Sequence, residues 1–556
     1  MNSNYDVIIV GCGVSGLFAA IAAAKGGART LIIEKESVWG GTGAYAGSVF
    51  WIPHNHFMQR DGYGDSEEAA LTYLDSVIGD AGPASSLTRR QTYVRRAAQI
   101  FKVLEDEGIE WMYRSNYWDY FPDRPGAHHC RGVGIGLFDG NKLGALYATM
   151  SHPGNFPPLA IYPNELNALI APLRSAANLA AMLRVVGRTL WWNLSGRKPL
   201  AAGQSMIAQL MVIARRYGVT LQLDTRLTQL LVEDGRVIGV EACVSERPQR
   251  LLAKNVVLCA GGFARNDEFR RRYQSVGGSY TAAHPGDTGD AVQAGMTIGA
   301  ATALMDEAFW TQTVRLPDGT PRIILWERVM PHSIMVDQKG KRYMNEAQSY
   351  DVIGRIMLEH NGNTHNGPSI PTWLIMDARH RRRYPFLAWP GGYTPKEMIE
   401  RGFFIKASSL DDLARQCNID TATLNATIER FNGFAAKGVD EDFGRGNNKY
   451  DQTYADMTVK PNPCLGTLEA APFWAVRVYP GDFGTKGGLL TDEHSRVLRE
   501  GGDVIAGLYA AGNTTASITG HAYPGPGCTL GPAAIFGYLA GEHAATINRG
   551  EINGIQ

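Results

Sequence analysis

The sequence predicts an α/β fold in which parallel strands alternate with helices. Three observations predict it: a β-branched apolar run at residues 5–10, an alanine-rich segment that follows it after a glycine turn, and two later apolar runs that also end in glycine turns, at 256–262 and 507–513. Strands that alternate with helical segments are typical of parallel sheets, whose ligands bind beyond the carboxyl ends of the strands.

The first unit of the chain consists of a strand, a glycine turn, a helix, a second strand and an acid. Tyr5–Val10 is the first strand, residues 11–16 form a G-x-G-x-x-G turn, and residues 17–25 are helical. The second strand, Thr30–Ile33, ends at Glu34. This order is typical of a Rossmann-like unit and predicts a dinucleotide site at the N-terminus of the helix.

Each glycine of this turn has a physical role. Gly11 makes the tight turn, Gly13 lets the backbone approach a pyrophosphate, and Gly16 lets the helix pack closely on the strand. Glu34 lies 18 residues beyond Gly16, where it can accept a hydrogen bond from a ribose hydroxyl. The other residues assigned to this part of the site are Val14, Ser15 and Lys35. The pattern leaves open whether the dinucleotide is NAD or FAD.

Further glycine loops favour the longer cofactor. A second glycine-rich loop occupies residues 40–47, and the apolar runs at 256–259 and 507–510 each enter another glycine turn. Such sites, scattered along the chain, suit one extended cofactor held by a discontinuous domain, although each taken singly also suits an ordinary α/β turn. The residues predicted to contact the cofactor here are Gly41, Thr42, Ala44, Gly47, Ala260, Gly261, Gly262, Gly512 and Asn513.

The charge and cysteine content argue against several classes of protein. The 556 residues include 54 Lys and Arg and 54 Asp and Glu, so the net charge of zero does not indicate a nucleic-acid partner. The seven cysteines form no C-x-x-C pair, and the chain starts directly with a strand rather than a signal peptide, so we expect a cytoplasmic protein. We predict no metal site, because the adjacent His128 and His129 have no second cluster to complete four ligands.

Two longer motifs connect the chain to a known family. Residues 340–350, GKRYMNEAQSY, resemble a G-x-R-[FY]-x-N-E element, and residues 520–532, GHAYPGPGCTLGP, are similar to a G-H-x-Y-P-G-P-G-x-x-[IL]-G-P element. In their order along nearly the whole chain, the motifs resemble the flavoprotein family of soluble fumarate reductases and 3-ketosteroid dehydrogenases. The resemblance implies non-covalently bound FAD.

The same resemblance implies a discontinuous Rossmann-like FAD-binding domain with an inserted α+β catalytic, or capping, domain. Residues 286–290, GDTGD, resemble the last element on the FAD side of the insertion, and they add Asp290 to the predicted cofactor site. We therefore place the FAD-binding domain at residues 1–305 and 478–556 and the catalytic domain at 306–477.

Two departures separate this chain from the fumarate reductases. The fourth residue after the glutamate of the first motif is a proton-donating arginine in that branch, and here it is Tyr350. The reductases also carry a substrate-binding histidine ahead of a glycine pair, whereas this chain has no histidine from 473 to 493. A dicarboxylate site needs cations for both carboxylates, so fumarate or succinate chemistry is disfavoured.

The C-terminal motif resembles that of the 3-ketosteroid Δ1-dehydrogenases. By this resemblance, Tyr523 and the main-chain N–H of Gly527 bind the carbon 3 oxygen of a 3-keto-4-ene steroid, as the two donors of an oxyanion hole. Gly531 and Pro532 precede a closing helix predicted from Ala533 to Ala545, and the N-terminus of that helix faces the flavin.

The resemblance also implies the reaction. Tyr350 removes a proton from carbon 2, the hydride of carbon 1 passes to flavin N5, and an external acceptor, a quinone or a carrier, reoxidises the flavin. A tyrosine normally titrates near a pKa of about 10, so Tyr350 needs a neighbouring donor to work as a base. Tyr120 is the candidate, with the nearby Tyr117 as the alternative.

Other interpretations stay open at this stage. The same site suits a dehydrogenase acting at carbons 4 and 5 of a steroid or on another cyclic ketone, a non-catalytic flavin-binding or carrier protein, or an NAD-dependent enzyme. Residues 165–198 mix apolar side chains, a tryptophan pair and arginines. We favour a helical hairpin that covers the FAD domain over the alternative, a peripheral membrane contact that receives a sterol.

Overall fold

The computed structural model describes residues 5–113, 117–152, 159–170, 175–244, 246–274, 276–362 and 370–548. The helices are α1 (Val14–Lys25), α2 (His56–Arg60), α3 (Glu67–Ile78), α4 (Leu87–Asp106), α5 (Leu166–Ile170), α6 (Ala176–Leu194), α7 (Ala202–Arg216), α8 (Asp267–Gln274), α9 (Asp290–Thr297), α10 (Tyr350–His360), α11 (Ala378–Arg383), α12 (Lys396–Glu400), α13 (Leu410–Cys417), α14 (Thr421–Lys437) and α15 (Leu530–Asn548).

The strands are β1 (Tyr5–Val10), β2 (Thr30–Ile33), β3 (Phe50–Trp51), β4 (Trp111–Tyr113), β5 (Gly132–Ile135), β6 (Phe138–Asp139), β7 (Pro199–Leu200), β8 (Thr220–Gln222), β9 (Thr225–Glu233), β10 (Arg236–Val244), β11 (Arg247–Leu258), β12 (Thr302–Ala303), β13 (Ala308–Arg315), β14 (Pro321–Ile323), β15 (Ser333–Val336), β16 (Thr372–Met376), β17 (Ile405–Ala407), β18 (Phe473–Thr485), β19 (Gly488–Leu489), β20 (Arg496–Leu498) and β21 (Val504–Ala510).

The largest sheet runs in the order β20-β21-β11-β1-β2-β8, and β10 and β9 extend it beside β11. β8, β2, β1, β11 and β21 are parallel, whereas β20 pairs antiparallel with β21. Val10 is in register with both Ile33 and Leu258, and Leu258 is in register with Ala510. The carboxyl ends of four parallel strands are therefore level, which confirms the predicted α/β fold and the predicted strands β1 and β2.

Helices α1 and α15 cover one face of this sheet and pack closely on each other. A Cβ on Gly541 of α15 would lie 2.0 Å from the carbonyl oxygen of Ala19 in α1, so glycine is needed for this approach. Helix α1 begins at Val14, three residues before the prediction, because the turn leads directly into it through Gly13. Helix α15 begins at Leu530 rather than Ala533, so Pro532 lies in its first turn, where a missing N–H is harmless.

A second, antiparallel sheet runs in the order β14-β13-β18-β16-β15, with β17 beside β18. All six strands lie between residues 308 and 485. Strand β18 crosses the predicted boundary at residue 477, because it continues through Thr485 to pair with β13. Helix α10 packs on β13, where a Cβ on Gly354 would lie 2.6 Å from the Cβ of Trp310.

Helix α6 lies in the segment 165–198, of which residues 171–174 are outside the described part. It buries a narrow face formed by Ala181, Val185 and Thr189. The remaining face exposes large apolar side chains, namely Leu179, Leu183, Val186, Leu190, Trp191 and Leu194. Within the described ranges, no helix is long and apolar enough to cross a membrane.

Candidate active site

Three glycine turns meet at the level edge of the main sheet. The first turn packs directly against the end of β11, because a Cβ on Gly11 would lie 2.5 Å from the carbonyl oxygen of Cys259. The Thr514 hydroxyl donates a hydrogen bond of 2.8 Å to the carbonyl of Gly261, which joins that turn to the one after β21. A Cβ on Gly512 would lie 2.6 Å from the Ser15 hydroxyl oxygen. The turns at 11–16, 260–262 and 512–513 therefore form one continuous site.

The glycines of the first turn differ in the space around them. A Cβ on Gly16 would lie 2.0 Å from the carbonyl oxygen of Gly11, so only glycine lets α1 pack on this turn. A Cβ on Gly13 would meet no described atom within 4 Å. Open space beside Gly13, at the N-terminus of α1, suits the close approach of a phosphate. The second glycine loop contacts the first turn at this point, because a Cβ on Gly41 would lie 3.6 Å from the Gly13 Cα.

The acid at the end of β2 is held by the backbone. Glu34 accepts hydrogen bonds from the N–H of Cys12 at 2.9 Å and of Glu36 at 3.1 Å. Burial raises the pKa of Glu34, and these two N–H donors oppose the rise. Lys35 instead reaches across to Asp290, with Nζ 3.0 Å from Oδ2. The structure thus places Glu34 beside the first turn and ties Lys35 to α9.

The remaining predicted cofactor residues lie around the same site. Thr42 accepts a hydrogen bond of 3.2 Å from the N–H of His284, and Ala44 is buried. A Cβ on Gly47 would meet no described atom within 4 Å. A Cβ on Gly262 would lie 2.0 Å from the hydroxyl oxygen of Thr485 and 3.2 Å from the carbonyl oxygen of Asn513. Ala260 is half-buried beside this turn.

A crevice lies at the N-terminal end of α15. The predicted residues Gly512, Asn513 and Pro532 line it, together with residues that the sequence did not single out for the site: Arg89, Phe309, Thr485, Thr515, Ala516, Ser517, Ile518, Cys528, Thr529, Ala533 and Phe536. Gly531, which precedes Pro532, packs against the Tyr93 hydroxyl. A Cβ on Gly531 would lie 2.3 Å from that hydroxyl oxygen.

Arg89 is an unexpected cation in this crevice. Its side chain is buried, its guanidinium donates to the carbonyl of Ala84, and it lies 4.7 Å from the ring centre of Phe536. Its Nε has no hydrogen-bond partner within the described residues. Burial lowers the pKa of Arg89 to about 10. A buried cation, a helix N-terminus and an open glycine turn together suit a long, negatively charged cofactor such as FAD.

Three predicted catalytic tyrosines come together beside the crevice. The ring centres of Tyr120, Tyr350 and Tyr523 lie 5.3–5.5 Å apart in all three pairs. Phe309, which lines the crevice, packs edge-on against Tyr523 with 5.7 Å between ring centres. Phe483 packs against both Tyr350 and Tyr523.

Hydrogen bonds order the three phenols. The Tyr120 hydroxyl donates to the Tyr350 hydroxyl at 3.0 Å, and the Thr529 hydroxyl donates to the Tyr523 hydroxyl at 3.1 Å. Tyr117, the alternative partner of Tyr350, is hydrogen-bonded to Tyr454 instead. The geometry therefore selects Tyr120 as the neighbour of Tyr350.

The protonation of the phenols is governed by their burial. Burial raises the pKa of Tyr350 well above its usual value, and the hydrogen bond from Tyr120 acts in the opposite direction. Burial likewise raises the pKa values of Tyr120 and Tyr523. Tyr350 is also the first residue of α10, where the helix N-terminus favours a negative charge.

Gly527 has a backbone conformation that favours glycine. Its φ is +91°, and a Cβ would lie 2.3 Å from the carbonyl oxygen of Val49, so no other residue fits without strain. Its carbonyl accepts a hydrogen bond of 2.8 Å from the N–H of Gly531. In the described part of the chain, the N–H of Gly527 has no acceptor.

The histidines in these segments bond to other protein groups. His521 pairs with Glu307 at 2.8 Å, and His128 is hydrogen-bonded to the carbonyl of His129. The described ranges contain no group of three or more His, Cys, Asp or Glu side chains arranged to hold a metal ion. All seven cysteines are free thiols.

Comparison with known proteins decides the family. A protein-family model described as an FAD binding domain matches residues 6–530. A 3-oxosteroid 1-dehydrogenase of Mycolicibacterium smegmatis is 40% identical over 553 residues, which cover 96% of both chains. A protein of the same name from Mycobacterium tuberculosis is 38% identical over 556 residues, covering 97% of this chain and 98% of the relative. The chain belongs to the 3-ketosteroid dehydrogenase branch of the FAD-binding domain family.

The fold of this FAD-binding family member also agrees with a solved structure. The 3-ketosteroid Δ1-dehydrogenase of Sterolibacterium denitrificans, solved with 1,4-androstadiene-3,17-dione, superposes with a TM-score of 0.91. The two chains are 34% identical, and the match covers 98% of this chain and 99% of the other. The cofactor implied for the family is FAD, in agreement with the site described above.

Proposed function

We propose that the protein is a flavin-dependent oxidoreductase that removes two hydrogens from carbons 1 and 2 of 3-keto-4-ene steroids. The observation that carries the proposal is the mutual contact of Tyr120, Tyr350 and Tyr523 beside the crevice at the start of α15. The names of the mycobacterial relatives support the same reaction.

In this proposal Tyr523 and Gly527 bind the carbon 3 ketone. The Tyr523 oxygen accepts a hydrogen bond from Thr529, which leaves the Tyr523 proton to be donated to the substrate. The N–H of Gly527 is the second donor. Two donors on one oxygen stabilise the negative charge that develops there when carbon 2 loses its proton.

Tyr350 is the proton acceptor at carbon 2. It stands next to Tyr523, and the donated hydrogen bond from Tyr120 and the N-terminus of α10 both favour its phenolate. Burial opposes that charge. Tyr350 therefore needs Tyr120 to act as a base, and the supply of phenolate depends on pH.

Apolar aromatic side chains form the rest of the substrate site. Phe309 and Phe483 stack with their ring planes 9° apart, and Tyr450 packs on Tyr120 with 4.6 Å between ring centres. Flat apolar walls of this kind suit a rigid steroid, with the few polar groups reserved for its ketone.

Different residues would hold different parts of FAD. The turn at 11–16 would hold the pyrophosphate, Glu34 a ribose hydroxyl, and the start of α15 with Arg89 the ring system. Bound FAD supplies the acceptor for the hydride that leaves carbon 1. An external quinone or electron carrier completes the turnover.

The two sheets support a discontinuous domain organisation. We assign residues 1–305 and 478–556 to the FAD-binding domain and 306–477 to an inserted catalytic domain, with the shared strand β18 running on to Thr485. Tyr350 comes from the insertion, whereas Tyr120 and Tyr523 come from the FAD-binding part. The active site would therefore lie between them.

Helix α6 supports a peripheral contact with a lipid surface. Its exposed apolar face is flanked by Arg184, Arg197 and Lys198, which are also exposed. Apolar side chains beside cations favour an anionic membrane interface, where an apolar substrate also dissolves. The same helix packs on α5 and buries its opposite face, so the expected helical cover and the membrane contact are compatible.

The direct test is anaerobic reduction. Addition of 4-androstene-3,17-dione to the purified holoprotein is expected to bleach the flavin absorbance and to yield the 1,4-diene-3-one. The matched steroid with a 3-hydroxyl group should leave the absorbance unchanged, because it offers no ketone to Tyr523 and Gly527. A holoprotein that is not bleached by any 3-ketosteroid would be a non-catalytic flavin protein. Bleaching only by steroids saturated at carbons 4 and 5 would indicate the Δ4-dehydrogenase.

A further inference from the structure

Lys486 is a fully buried lysine that the proposed reaction does not use. It follows β18 directly and precedes the glycine pair Gly487 and Gly488. Its Nζ lies 2.9 Å from Oδ1 of Asp351, and both side chains are at most 1% exposed. Burying two charges costs several kcal/mol per ion unless the pair and its hydrogen bonds compensate.

The ammonium of Lys486 joins the backbone beside two of the tyrosines. Besides Asp351, it donates to the carbonyl of Ala522 at 3.0 Å and to that of His521 at 3.4 Å, so all three of its protons are used. Asp351 directly follows Tyr350, and Ala522 directly precedes Tyr523. One side chain therefore ties the proposed base to the proposed ketone donor.

A second set of ion pairs supports the connection between Asp351 and the 521–523 segment. Arg355 donates to Asp351 Oδ2 at 3.2 Å and to both oxygens of Glu307 at 2.6 and 2.7 Å. Glu307 in turn pairs with His521 at 2.8 Å. Two chains of contacts therefore connect Asp351 in α10 with residues 521–523. One passes through Lys486, and the other passes through Arg355 and Glu307.

We propose that Lys486 is a positioning residue: its ammonium fixes Tyr350 relative to Tyr523, so that the proton acceptor and the ketone donor act on adjacent carbons of one substrate. The inference rests on the proposed function. A displacement of about 1 Å between reacting groups can cost roughly 100-fold in rate. Burial lowers the pKa of Lys486, and the Asp351 carboxylate beside its Nζ opposes that change.

The test uses the holoenzyme with Lys486→Met, Lys486→Arg and the double variant Lys486→Met/Asp351→Asn. Lys486→Met leaves Asp351 buried without its lysine partner, which could prevent folding. The double variant removes both charges, so it tests the positioning role even if Lys486→Met does not fold. Arg188→Met is the matched control, because Arg188 also binds one carboxylate, that of Glu165, and one carbonyl, that of Ala160.

The readout is the rate of anaerobic flavin reduction with steroid deuterated at carbon 1 or at carbon 2. We expect the neutral variants to reduce the flavin about 10- to 100-fold more slowly, with little change in the steroid dissociation constant. The isotope effect should rise for carbon 2 and fall for carbon 1, since only proton removal is impaired. Lys486→Arg should recover part of the rate, and Arg188→Met should match the wild type.

A folded double variant that reduces flavin within threefold of the wild-type rate, or that shows unchanged isotope effects, would overturn the positioning role. Failure of the proposed function is distinguishable, because the wild-type holoenzyme itself would then show no steroid-dependent reduction.

Discussion

The Tyr120 hydroxyl donates a hydrogen bond of 3.0 Å to the Tyr350 hydroxyl. The N–H of Tyr120 also donates to the carbonyl of Pro524 at 2.9 Å, directly after Tyr523. Tyr120 is therefore fixed to one phenol through its side chain and to the segment of the other through its backbone. This arrangement supports a relay in which Tyr120 stabilises the charge of Tyr350 while Tyr523 binds the substrate.

Replacement of the proposed base should separate cofactor binding from chemistry. Tyr350→Phe is expected to retain bound flavin but to lower the rate of flavin reduction by about 10²- to 10⁴-fold, the usual contribution of a general base. Stopped-flow measurement of the flavin absorbance under anaerobic conditions gives this rate. Tyr454→Phe is the control, and a Tyr350→Phe enzyme as fast as the control would remove Tyr350 from the mechanism.

Replacement of the supporting donor should have a smaller effect. A hydrogen bond to a charged group contributes about 2 kcal/mol, so Tyr120→Phe should slow flavin reduction roughly 30-fold. Tyr117→Phe should have little effect, because the Tyr117 hydroxyl binds Tyr454 rather than Tyr350. Equal losses in the two variants would contradict the assignment of Tyr120.

The rate should depend on pH in one direction. Burial raises the pKa of Tyr350 well above its ordinary value of about 10, and the base acts only when deprotonated. Below that pKa the phenolate fraction rises about tenfold per pH unit, so the rate of flavin reduction should increase from pH 7 to pH 10 without a plateau. A plateau below pH 8 would point to a different base.

Two glycines of the first turn should respond differently to alanine. The Gly16→Ala side chain would lie 2.0 Å from the carbonyl oxygen of Gly11, so the variant should lose stability as well as flavin. The Gly13→Ala side chain meets open space in the protein, so the apoprotein should unfold at the wild-type temperature while its affinity for FAD falls. Calorimetry of the apoprotein and titration with FAD measure both effects. Unchanged FAD affinity in Gly13→Ala would place the pyrophosphate elsewhere.

The exposed face of α6 should bind anionic vesicles. Leu190→Ser/Leu194→Ser is expected to abolish co-sedimentation with vesicles that contain phosphatidylserine, without change in flavin reduction by dissolved steroid. Leu87→Ser is the matched control, since Leu87 is 63% exposed at the start of α4. If the intact protein does not sediment with the vesicles, the membrane contact is wrong and α6 only covers the FAD-binding part.

The local features of the fold could be predicted from the sequence. Strands β1 and β2 have the predicted bounds, because β-branched runs bordered by turn residues are strong local signals. Helices α1 and α15 each start three residues before the predicted position, because the glycines and the proline in their first turns are typical of turns. The two longer motifs drew attention to Tyr350 and Tyr523, whose ring centres lie 5.3 Å apart in the structure.

The long-range contacts of the site could not be predicted. Lys486 and Asp351 are 135 residues apart, and no periodicity or motif spacing relates them. Arg89 lies in a helix whose other arginines are surface residues or bind nearby acids, so nothing in its pattern marks it as a crevice residue. The choice between Tyr117 and Tyr120 depended on side-chain direction in an irregular segment, which composition does not encode.

The most direct test of the roles proposed for Tyr350, Tyr523 and Gly527 is a crystal structure of the holoenzyme with a bound 3-ketosteroid. We expect the ketone oxygen to lie about 2.7–3.1 Å from both the Tyr523 hydroxyl and the Gly527 nitrogen, with carbon 2 facing the Tyr350 hydroxyl. A ketone bound away from Tyr523, or a Tyr350 side chain that does not face carbon 2, would contradict these roles.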